Sequence, residues 1–314
     1  MEYRHRSVLL HETVGGLAPK QGGIYCDGTI GGGGHAALIC ERIGSDGVFI
    51  GMDKDGEAII AAQERLKPYL CKKIICKAGF ENVKEILANN GIPALDGAAL
   101  DIGVSSKQLD DAGRGFSYMK DGPLDMRMDG SEENAGLTAE EVINSYSEQE
   151  LCRIIRDYGE ERWAKRIASF IVSERRRGKI GSTGELAEIV RRAVPAGARY
   201  GGQNPAKRTF QAIRIEVNDE LGALKRGVEA FIDVLKPGGR LAVVTFHSLE
   251  DRIVKQAFRT HEDPCECPRG APVCVCGKKA DAKRITKKPI LPSDEEKENN
   301  PRASSAKLRI LEKL

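Results

Sequence analysis

The sequence predicts an α/β protein whose parallel sheet is interrupted by a helical insertion. Three observations lead to this fold class. Strand and helix patterns alternate over the first hundred residues, the alternation stops between about residues 106 and 205, and it resumes after Pro205. Strands that alternate with helices favour a parallel sheet covered by helices on both faces. The 314 residues, 40% of them hydrophobic, are enough for one large domain or two of ordinary size.

The first hundred residues contain four strand patterns, and three of them end in an aspartate. The strands are predicted at Gly23–Asp27, Gly47–Asp53, Lys73–Lys77 and Gly97–Asp101. Helical spacing of apolar residues predicts the helices between them, at His35–Arg42, Ala58–Tyr69 and Asn82–Asn89. After the interruption, the same pattern predicts a helix at Thr209–Leu235, a strand at Arg240–Phe246 and a helix at Ser248–Arg259.

The interruption contains no convincing strand pattern. It is predicted to form a loop and then helices at Thr138–Asn144, Glu148–Asp157, Glu160–Arg176 and Thr183–Ala193. Thr138, with Glu141 three residues later, is typical of a helix N-cap. We therefore expect a discontinuous core domain, residues 1–105 and 206–314, and an inserted helical domain, residues 106–205. Residues 260–300 are rich in Pro, Cys and charged side chains, which favours a loop over a packed core.

Composition and the chain start indicate a cytoplasmic protein. The only apolar run near the start is Val8-Leu9-Leu10, which is too short for a signal peptide. No segment approaches the roughly 20 apolar residues of a membrane span. The net charge of +3 predicts little about partners, and the sequence does not predict an oligomeric state.

A glycine-rich stretch, Asp27–His35, lies between the first strand and the first helix. Glycines let the backbone turn sharply and approach a ligand closely. Gly31, Gly33 and Ala36 also match the dinucleotide fingerprint, so a NAD site must be considered. The carboxylate of Asp27 favours S-adenosylmethionine instead, because it attracts the methionine ammonium and repels a pyrophosphate.

Further candidate cofactor contacts follow the same strand ends. Asp53, at the end of the second strand, can accept both ribose hydroxyls of either cofactor. His35 lies within the loop itself, and Phe80, just past the third strand, can pack against an adenine ring. The alternative is that the glycines only make a tight turn, the aspartates only cap helices and Phe80 belongs to the core. A P-loop is disfavoured because no Gly-Lys-Ser/Thr follows the glycines.

Candidate catalytic residues end the fourth strand and the strand near the C-terminus. Asp101 can accept hydrogens from an amine that is to be methylated, or it can bind the cofactor, and both roles stay open. Gln108 can reach the same crevice. His247 is a candidate acid/base group or substrate contact. Ser248, with Asp251 at the third helical position, is equally consistent with a simple helix N-cap.

Two basic stretches favour a nucleic-acid partner over a solvated charged face. Residues 278–290 carry six basic side chains and one acidic one. Residues 175–208 carry nine basic side chains and two acidic ones, with Tyr200 and Phe210 beside them to stack on bases. The basic residues of this second stretch, which we call the 175–208 patch, are Arg175, Arg176, Arg177, Lys179, Arg191, Arg192, Arg199, Lys207 and Arg208.

Four cysteines cluster near the C-terminus as two C-x-C pairs, Cys265 with Cys267 and Cys274 with Cys276. Four thiolates suit tetrahedral zinc, although this spacing is tighter than the usual C-x₂-C. Zinc, a reversible disulfide and an unliganded loop all stay open. The other five cysteines are scattered through apolar stretches and are expected to be buried thiols in a reducing compartment.

Long motifs spread over nearly the whole chain resemble the bacterial 16S ribosomal RNA cytosine-N4 methyltransferases, the RsmH or MraW family. The stretches that carry the resemblance are His5–Leu10, Asp27–His35, Leu100–Ser106, Gln108–Asp110, Arg114–Ser117, Asp121–Asp129, Tyr158–Arg162, Arg208–Ala212, Ser248–Arg252 and Asn300–Ala303. The resemblance implies a Rossmann-like class I methyltransferase core that contains an inserted helical domain. The cysteine cluster lies in a stretch that varies in this family, so the resemblance does not support a metal there.

The resemblance also implies methyl transfer from S-adenosylmethionine to N4 of a decoding-centre cytidine in 16S rRNA of the small ribosomal subunit. It places the cofactor contacts at Gly33, Gly34, His35, Asp53, Phe80, Asp101 and Gln108. Arg199, Lys207 and Arg208 are our candidates for contacts with the RNA. Two rivals remain, a non-enzymatic ribosome-assembly factor that binds rRNA and a nicotinamide-dependent dehydrogenase.

Overall fold

The computed structural model describes residues 7–131, 136–198, 204–268 and 275–314, which divide into two compact units. The sheet unit comprises the described residues up to Gly103 and from Leu221 onward, and the helical unit is Val104–Glu220. The helical unit thus begins near the expected residue 106 but ends at Glu220, not at residue 205. The long helix predicted at Thr209–Leu235 is in fact two helices, because the backbone of Asp219 is left-handed with φ 47°.

The sheet unit is built on seven strands. In chain order they are β1 (Ile24–Asp27), β2 (Val48–Asp53), β3 (Lys72–Lys77), β4 (Leu95–Asp101), β5 (Leu235–Thr245), β6 (Ala282–Arg284) and β7 (Lys307–Lys313). Their order in the sheet is β3-β2-β1-β4-β5-β7-β6. Strands β1 to β5 pair in parallel, and β7 runs antiparallel to both β5 and β6. The carboxyl ends of β1, β2, β4 and β5 therefore meet at one edge, where parallel sheets place their ligands.

The first five strands confirm the sequence prediction, whereas β6 and β7 were missed. Strand β6 has three residues and lies in the segment that we expected to be a loop, yet its Ala282 is fully buried. Strand β7 interrupts its apolar residues with Arg309, which is 6% exposed and donates to Asp251 at 2.6 Å. A buried, paired arginine hides the strand pattern, since its partner is distant in sequence.

Helices cover both faces of the sheet. Those of the sheet unit are α1 (Leu10–Leu17), α2 (Gly34–Ile43), α3 (Gly56–Leu66), α4 (Val83–Asn89), α11 (Glu220–Asp233), α12 (Ser248–Glu262) and α13 (Asp294–Asn299). Neighbouring strand residues face opposite cores: Phe49 packs with α1, α2 and α3, and Ile50 packs with α4, α11 and α12. Both side chains are fully buried, as expected for a sheet with two covered faces.

The helical unit packs its own apolar core. Its helices are α5 (Ser106–Asp110), α6 (Ala139–Ser145), α7 (Glu148–Asp157), α8 (Ala164–Arg175), α9 (Thr183–Ala193) and α10 (Ala206–Asn218). Fully buried Ile154, Ile167 and Ile213 join α7, α8 and α10 in one cluster. The predicted N-cap of α6 is confirmed, because Thr138 and Glu141 form a reciprocal capping box. Among the described residues, no helix is long and apolar enough to cross a membrane.

Candidate cofactor-binding and catalytic site

The loop between β1 and α2 is turned by two glycines in left-handed conformations. Gly31 has φ 48° and Gly33 has φ 75°, values that a residue with a Cβ adopts only with strain. The N–H of Gly31 donates to Asp53 Oδ2 at 2.9 Å, and the N–H of Ile30 donates to the Met52 carbonyl at 2.9 Å. These bonds fix the loop against the end of β2, so the predicted loop and the predicted Asp53 lie together.

Packing explains why residue 34 is a glycine. A Cβ at Gly34 would lie 1.8 Å from Ser7 Oγ, a distance at which the two atoms overlap. The first residue of α2 therefore faces the segment that precedes α1, and Ser7 fills the space that a larger side chain would need. This contact explains the glycine at position 34 without a ligand.

Asp27 is a buried carboxyl group at the end of β1. It is 1% exposed, and its Oδ1 accepts from the Thr29 N–H at 3.1 Å. Burial, reinforced by the charge of Asp53, raises the pKa of Asp27 to about 7. Burial also raises the pKa of Asp53, although Asp55 and Gly31 donate backbone N–H groups to it. Both acids are therefore poised to bind positive charge or hydrogen-bond donors.

Asp101 ends β4 beside the same loop. Its backbone N–H donates to Thr29 Oγ1 at 2.6 Å, while its own Oδ1 is buried and has no hydrogen-bond partner among the described residues. Burial, with the charges of Asp27 and Glu250, raises the pKa of Asp101 to about 8. A buried oxygen without a partner is uncommon because its desolvation is uncompensated. It therefore marks a position where a ligand can donate.

His35 is buried behind Asp101. The His35 ring is 4% exposed, and its Nε2 lies 3.1 Å from the Val8 carbonyl, which can only accept. The hydrogen is therefore on Nε2, and Nδ1 faces Asp101 Oδ2 at 4.0 Å. This placement suits a residue that holds the segment before α1 and the Asp101 carboxyl in position.

His247 caps helix α12, which corrects the expected role of Ser248. The Glu250 N–H donates to His247 Nδ1 at 3.4 Å, and Glu250 Oε2 accepts from the His247 N–H at 3.1 Å. Ser248 is consequently the first helical residue, and Glu250, not Asp251, completes the capping box. His247 Nε2 also lies 2.9 Å from Glu250 Oε1.

Glu250 is the site residue that sequence reasoning missed. It is fully buried, and its charge contributes to the raised pKa of Asp101, so it belongs to the same group of acids. Its position three residues after His247, the N-cap of α12, was the available signal. We call Asp27, Asp53, Asp101 and Glu250 the carboxyl cluster.

Phe80 lies at the margin of this site and packs on glycines. A Cβ at Gly227 of α11 would lie 2.4 Å from the ring, and a Cβ at Gly28 would lie 3.0 Å from Phe80 Cβ. The half-buried ring joins the core formed with α4 and α11. Its predicted packing against adenine stays a prediction.

The remaining predicted residues lie in the helical unit. Gln108 is 6% exposed, and its Oε1 accepts from the Ser105 N–H at 3.0 Å in a capping box. Lys207 and Arg208 are exposed on α10, and Arg208 donates to the Glu160 carbonyl at 3.0 Å. Arg199 and Tyr200 lie outside the described residues. The expectation that Phe210 stacks on bases is wrong, because its ring is 3% exposed and packs edge-on against Tyr118.

Ion pairs neutralise much of the 175–208 patch. Arg177 pairs with Glu174, Lys179 with Glu140 and Arg191 with Glu188, at 3.0, 3.0 and 2.6 Å. Arg192 also pairs with Glu174, at 3.3 Å. Two of these acids lie outside the counted stretch, so the sequence count overstated the charge that the patch presents.

The carboxyl cluster has a definite chemical preference. Two of its acids have a pKa near neutrality, so a cation would stabilise their ionised forms. A ligand with hydrogen-bond donors would satisfy the buried oxygen of Asp101. A pyrophosphate would face repulsion from the same groups, which disfavours the dinucleotide alternative.

Comparison with known proteins agrees with this chemistry. The model of a family described as the MraW methylase family matches residues 2–314. A protein named ribosomal RNA small subunit methyltransferase H from Symbiobacterium thermophilum is 54% identical over 314 residues, which cover 100% of this chain and 98% of that protein. Proteins of the same name from Clostridioides difficile and Clostridium botulinum are 51% and 53% identical, with 100% of both chains covered in each case.

The sheet order and the family match together bear out the predicted fold class, a Rossmann-like class I methyltransferase core with an inserted all-helical part. The family match spans all but the first residue, and the relatives share more than half of their residues with this chain. The chain belongs to the MraW methylase family.

Proposed function

We propose that this chain transfers a methyl group from S-adenosylmethionine to the N4 amine of a decoding-centre cytidine in 16S rRNA of the small ribosomal subunit. Family membership accounts for the methylase activity, and the names of its relatives favour small-subunit rRNA. The observation that carries the proposal is the carboxyl cluster, in which a buried oxygen of Asp101 lacks a donor beside a glycine-lined loop.

The residues present fit the cofactor. S-adenosylmethionine carries an ammonium and a sulfonium, and when bound it supplies an electrophilic methyl group. Asp27 would hold the ammonium, because it is buried and its pKa is raised to about 7, so that a cation would stabilise its ionised form. Asp53 would accept the ribose hydroxyls, since its carboxyl is already oriented by the Gly31 and Asp55 N–H groups. Gly31 and Gly33 leave the approach to the loop backbone open.

Asp101 would act on the acceptor amine. The lone pair of a cytosine N4 amine is delocalised into the ring, and an acceptor for its hydrogens localises that pair. Asp101 Oδ1 can accept one N4 hydrogen and hold the proton afterwards, because its pKa of about 8 makes it a base near neutrality. His35 and Glu250 are positioning residues here: His35 lies 4.0 Å from Asp101, and Glu250 raises its pKa.

The two units would divide the work. The sheet unit carries every member of the carboxyl cluster, so it would bind the cofactor. The helical unit carries Lys207 and Arg208 on an exposed helix surface, which suits phosphate binding. The target base would leave its stack to reach the amine-binding group, as in other enzymes that modify bases.

Two measurements test this function. Calorimetric titration should show binding of S-adenosylmethionine and none of NAD, which separates the methylase from the dehydrogenase. Purified protein should then transfer labelled methyl groups to small subunits, or to their rRNA, from a strain that lacks this gene, and mapping at nucleotide resolution should locate the label on one cytidine N4. Binding of rRNA without any incorporation would instead favour the assembly factor and overturn the proposal.

A further inference from the structure

The loop that joins α12 to β6 holds three cysteine sulfurs together. The Sγ atoms of Cys265, Cys267 and Cys276 all lie within 4.8 Å of one another, and those of Cys265 and Cys276 are 3.9 Å apart. Sulfurs in a disulfide are about 2.05 Å apart. Thiolates at the corners of a zinc tetrahedron, with Zn–S bonds of about 2.3 Å, are roughly 3.8 Å apart. The spacing therefore matches metal ligation.

Packing does not account for this arrangement. Cys265 and Glu266 are exposed, Cys267 and Cys276 are half-buried, and Val275 is 86% exposed. The described part of this loop thus has no apolar core of its own to hold the sulfurs close. Small segments that lack a core are commonly held by a metal or by disulfides.

The surroundings of the sulfurs include a hydrogen-bond donor and a cation. The Val275 N–H donates to Cys267 Sγ at 3.4 Å, a bond that supports a negatively charged sulfur. Lys278, whose ammonium pairs with Glu266 at 2.5 Å, brings a positive charge next to Cys276. None of the three cysteines is in a disulfide within the described chain. Three thiolates so close together would repel one another unless a cation lay between them.

We propose that Cys265, Cys267 and Cys276 bind one Zn²⁺ as thiolates and that this ion joins the two described parts of the chain between α12 and β6. Each thiol gives its proton to solvent as its sulfur bonds to zinc, and nothing is oxidised or reduced. The three described thiolates leave the fourth position to water. Cys274 lies outside the described residues. The proposed site does not depend on the proposed methyl transfer.

The ion would also shape a neighbouring surface. Cys265 and Cys267 line a cavity of about 770 Å³ together with Arg252, Lys255 and Arg259 of α12. The ion would fix Cys265 and Cys267 in the wall of this cavity, whose lining also includes Asp263 and Glu266. The role that we assign to zinc is structural, because the ion would join Cys265 and Cys267 to Cys276, which follows them in the chain.

Metal analysis of the full-length protein, purified without chelators, tests the proposal. We expect about one zinc per chain by mass spectrometry, and a tetrahedral thiolate-to-cobalt spectrum after exchange with Co²⁺. The variants Cys265→Ser and Cys276→Ser should lose the zinc and the cobalt spectrum. Cys152→Ser is the matched control, because Cys152 is a half-buried thiol of α7 outside the cluster, and it should keep both.

Thiol titration separates zinc from its rivals. Before chelation the cluster thiols should react slowly, and after chelation they should react fully without a reductant. Wild-type protein that stays metal-free after dialysis against Zn²⁺, with its thiols fully reactive, would overturn the proposal. Thiols that appear only after reduction would show a disulfide and overturn it as well. Neither readout requires activity, so failure here is distinguishable from failure of the proposed function.

Discussion

The two units use ionised side chains in opposite ways. In the sheet unit, Asp27 and Asp101 bring carboxyl groups together at the strand ends, and their pKa values rise to about 7 and about 8. In the helical unit, arginines and lysines are exposed, and several are matched by nearby acids such as Glu188 and Glu140. Like charges are concentrated at the strand ends of the sheet unit, whereas opposite charges are paired on the surface of the helical unit.

The contrast determines where charge is available to a ligand. Burying a carboxyl group without a cation destabilises its ionised form, so the sheet unit gains stability when a cation arrives. A surface ion pair is already satisfied and contributes about 0–1 kcal/mol. The carboxyl cluster should therefore respond strongly to single substitutions, and the surface ion pairs weakly. Four predictions test this contrast, the largest expected effect first.

Asp101→Asn should nearly abolish methyl transfer. The amide keeps the shape of the side chain but cannot take a proton from the substrate amine, so we expect a rate loss of roughly 10²–10⁴-fold. Folding should be preserved or slightly stabilised, because a buried charge is removed. Single-turnover methyl incorporation into small subunits measures the loss.

Asp233→Asn is the matched control for this prediction. Asp233 is an exposed acid of the same unit that pairs with Lys84, and its loss should leave the rate within about twofold, as for a surface pair. A near-normal rate in Asp101→Asn would show that Asp101 has no part in the mechanism. The carboxyl cluster would then affect the rate no more than a surface acid does.

Gly34→Ala should destabilise the sheet unit. The new methyl group would overlap Ser7 Oγ, and overpacking of this kind costs about 1–3 kcal/mol. Urea denaturation measures the free energy of unfolding. Adding Ser7→Gly should restore most of the loss, because the side chain that collides is then gone. A double variant as unstable as the single one would show that position 34 requires glycine for another reason.

Affinity for S-adenosylmethionine should rise with pH. The pKa values of Asp27 and Asp101 lie above the ordinary 3.8, so both acids are largely protonated at pH 6 and ionised at pH 9. Between these two pH values we expect about a tenfold gain if Asp27 must ionise to bind the cation, and up to about a hundredfold gain if Asp101 must do so. For the unliganded protein the sign reverses: its free energy of unfolding should fall as pH rises from about 4 to about 8, because the native state holds the extra protons.

Calorimetry at several pH values, with urea denaturation alongside, checks both halves of this prediction. Asp101→Asn provides the control, since it should flatten the part of each profile that titrates near pH 8. Affinity and stability that do not change over this range would mean that the carboxyl cluster is ionised and already satisfied in the free protein.

The parts of the fold that could be predicted are those with local sequence signals. Strands β1, β2 and β4 are short apolar runs that end in Asp27, Asp53 and Asp101, and their parallel pairing brings these residues to one edge. The break at Asp219 could not be predicted, because helical periodicity continues on both sides of it. Strand β7 was missed because Arg309 is buried only through its pairing with Asp251, 58 positions away.

The candidate site was predictable to a similar degree and for the same reason. The loop and its aspartates lie in contiguous motifs, whereas Glu250 enters the cluster only through the geometry of the α12 capping box. The charge of the 175–208 patch was overestimated because Glu174 and Glu140 pair with it from outside the counted window. Sequence windows record charge, and tertiary structure decides which charges remain unpaired.

Lys207→Ala should weaken RNA binding modestly. Lys207 is exposed on α10, and no ion pair involves it in the described part of the chain, so it is available to a phosphate. One lost phosphate contact should reduce affinity about two- to fivefold at moderate salt and lower the slope of log affinity against log salt by about one.

Arg191→Ala is the matched comparison. This substitution removes the same charge, but from a side chain that Glu188 already holds at 2.6 Å. The slope of log affinity against log salt should change less in Arg191→Ala, since a paired guanidinium displaces few counterions from RNA. Filter binding to small-subunit rRNA across a salt series measures both slopes. Equal changes in the two variants would mean that net charge alone matters, and that ion pairing in the helical unit does not determine which residues contact the RNA.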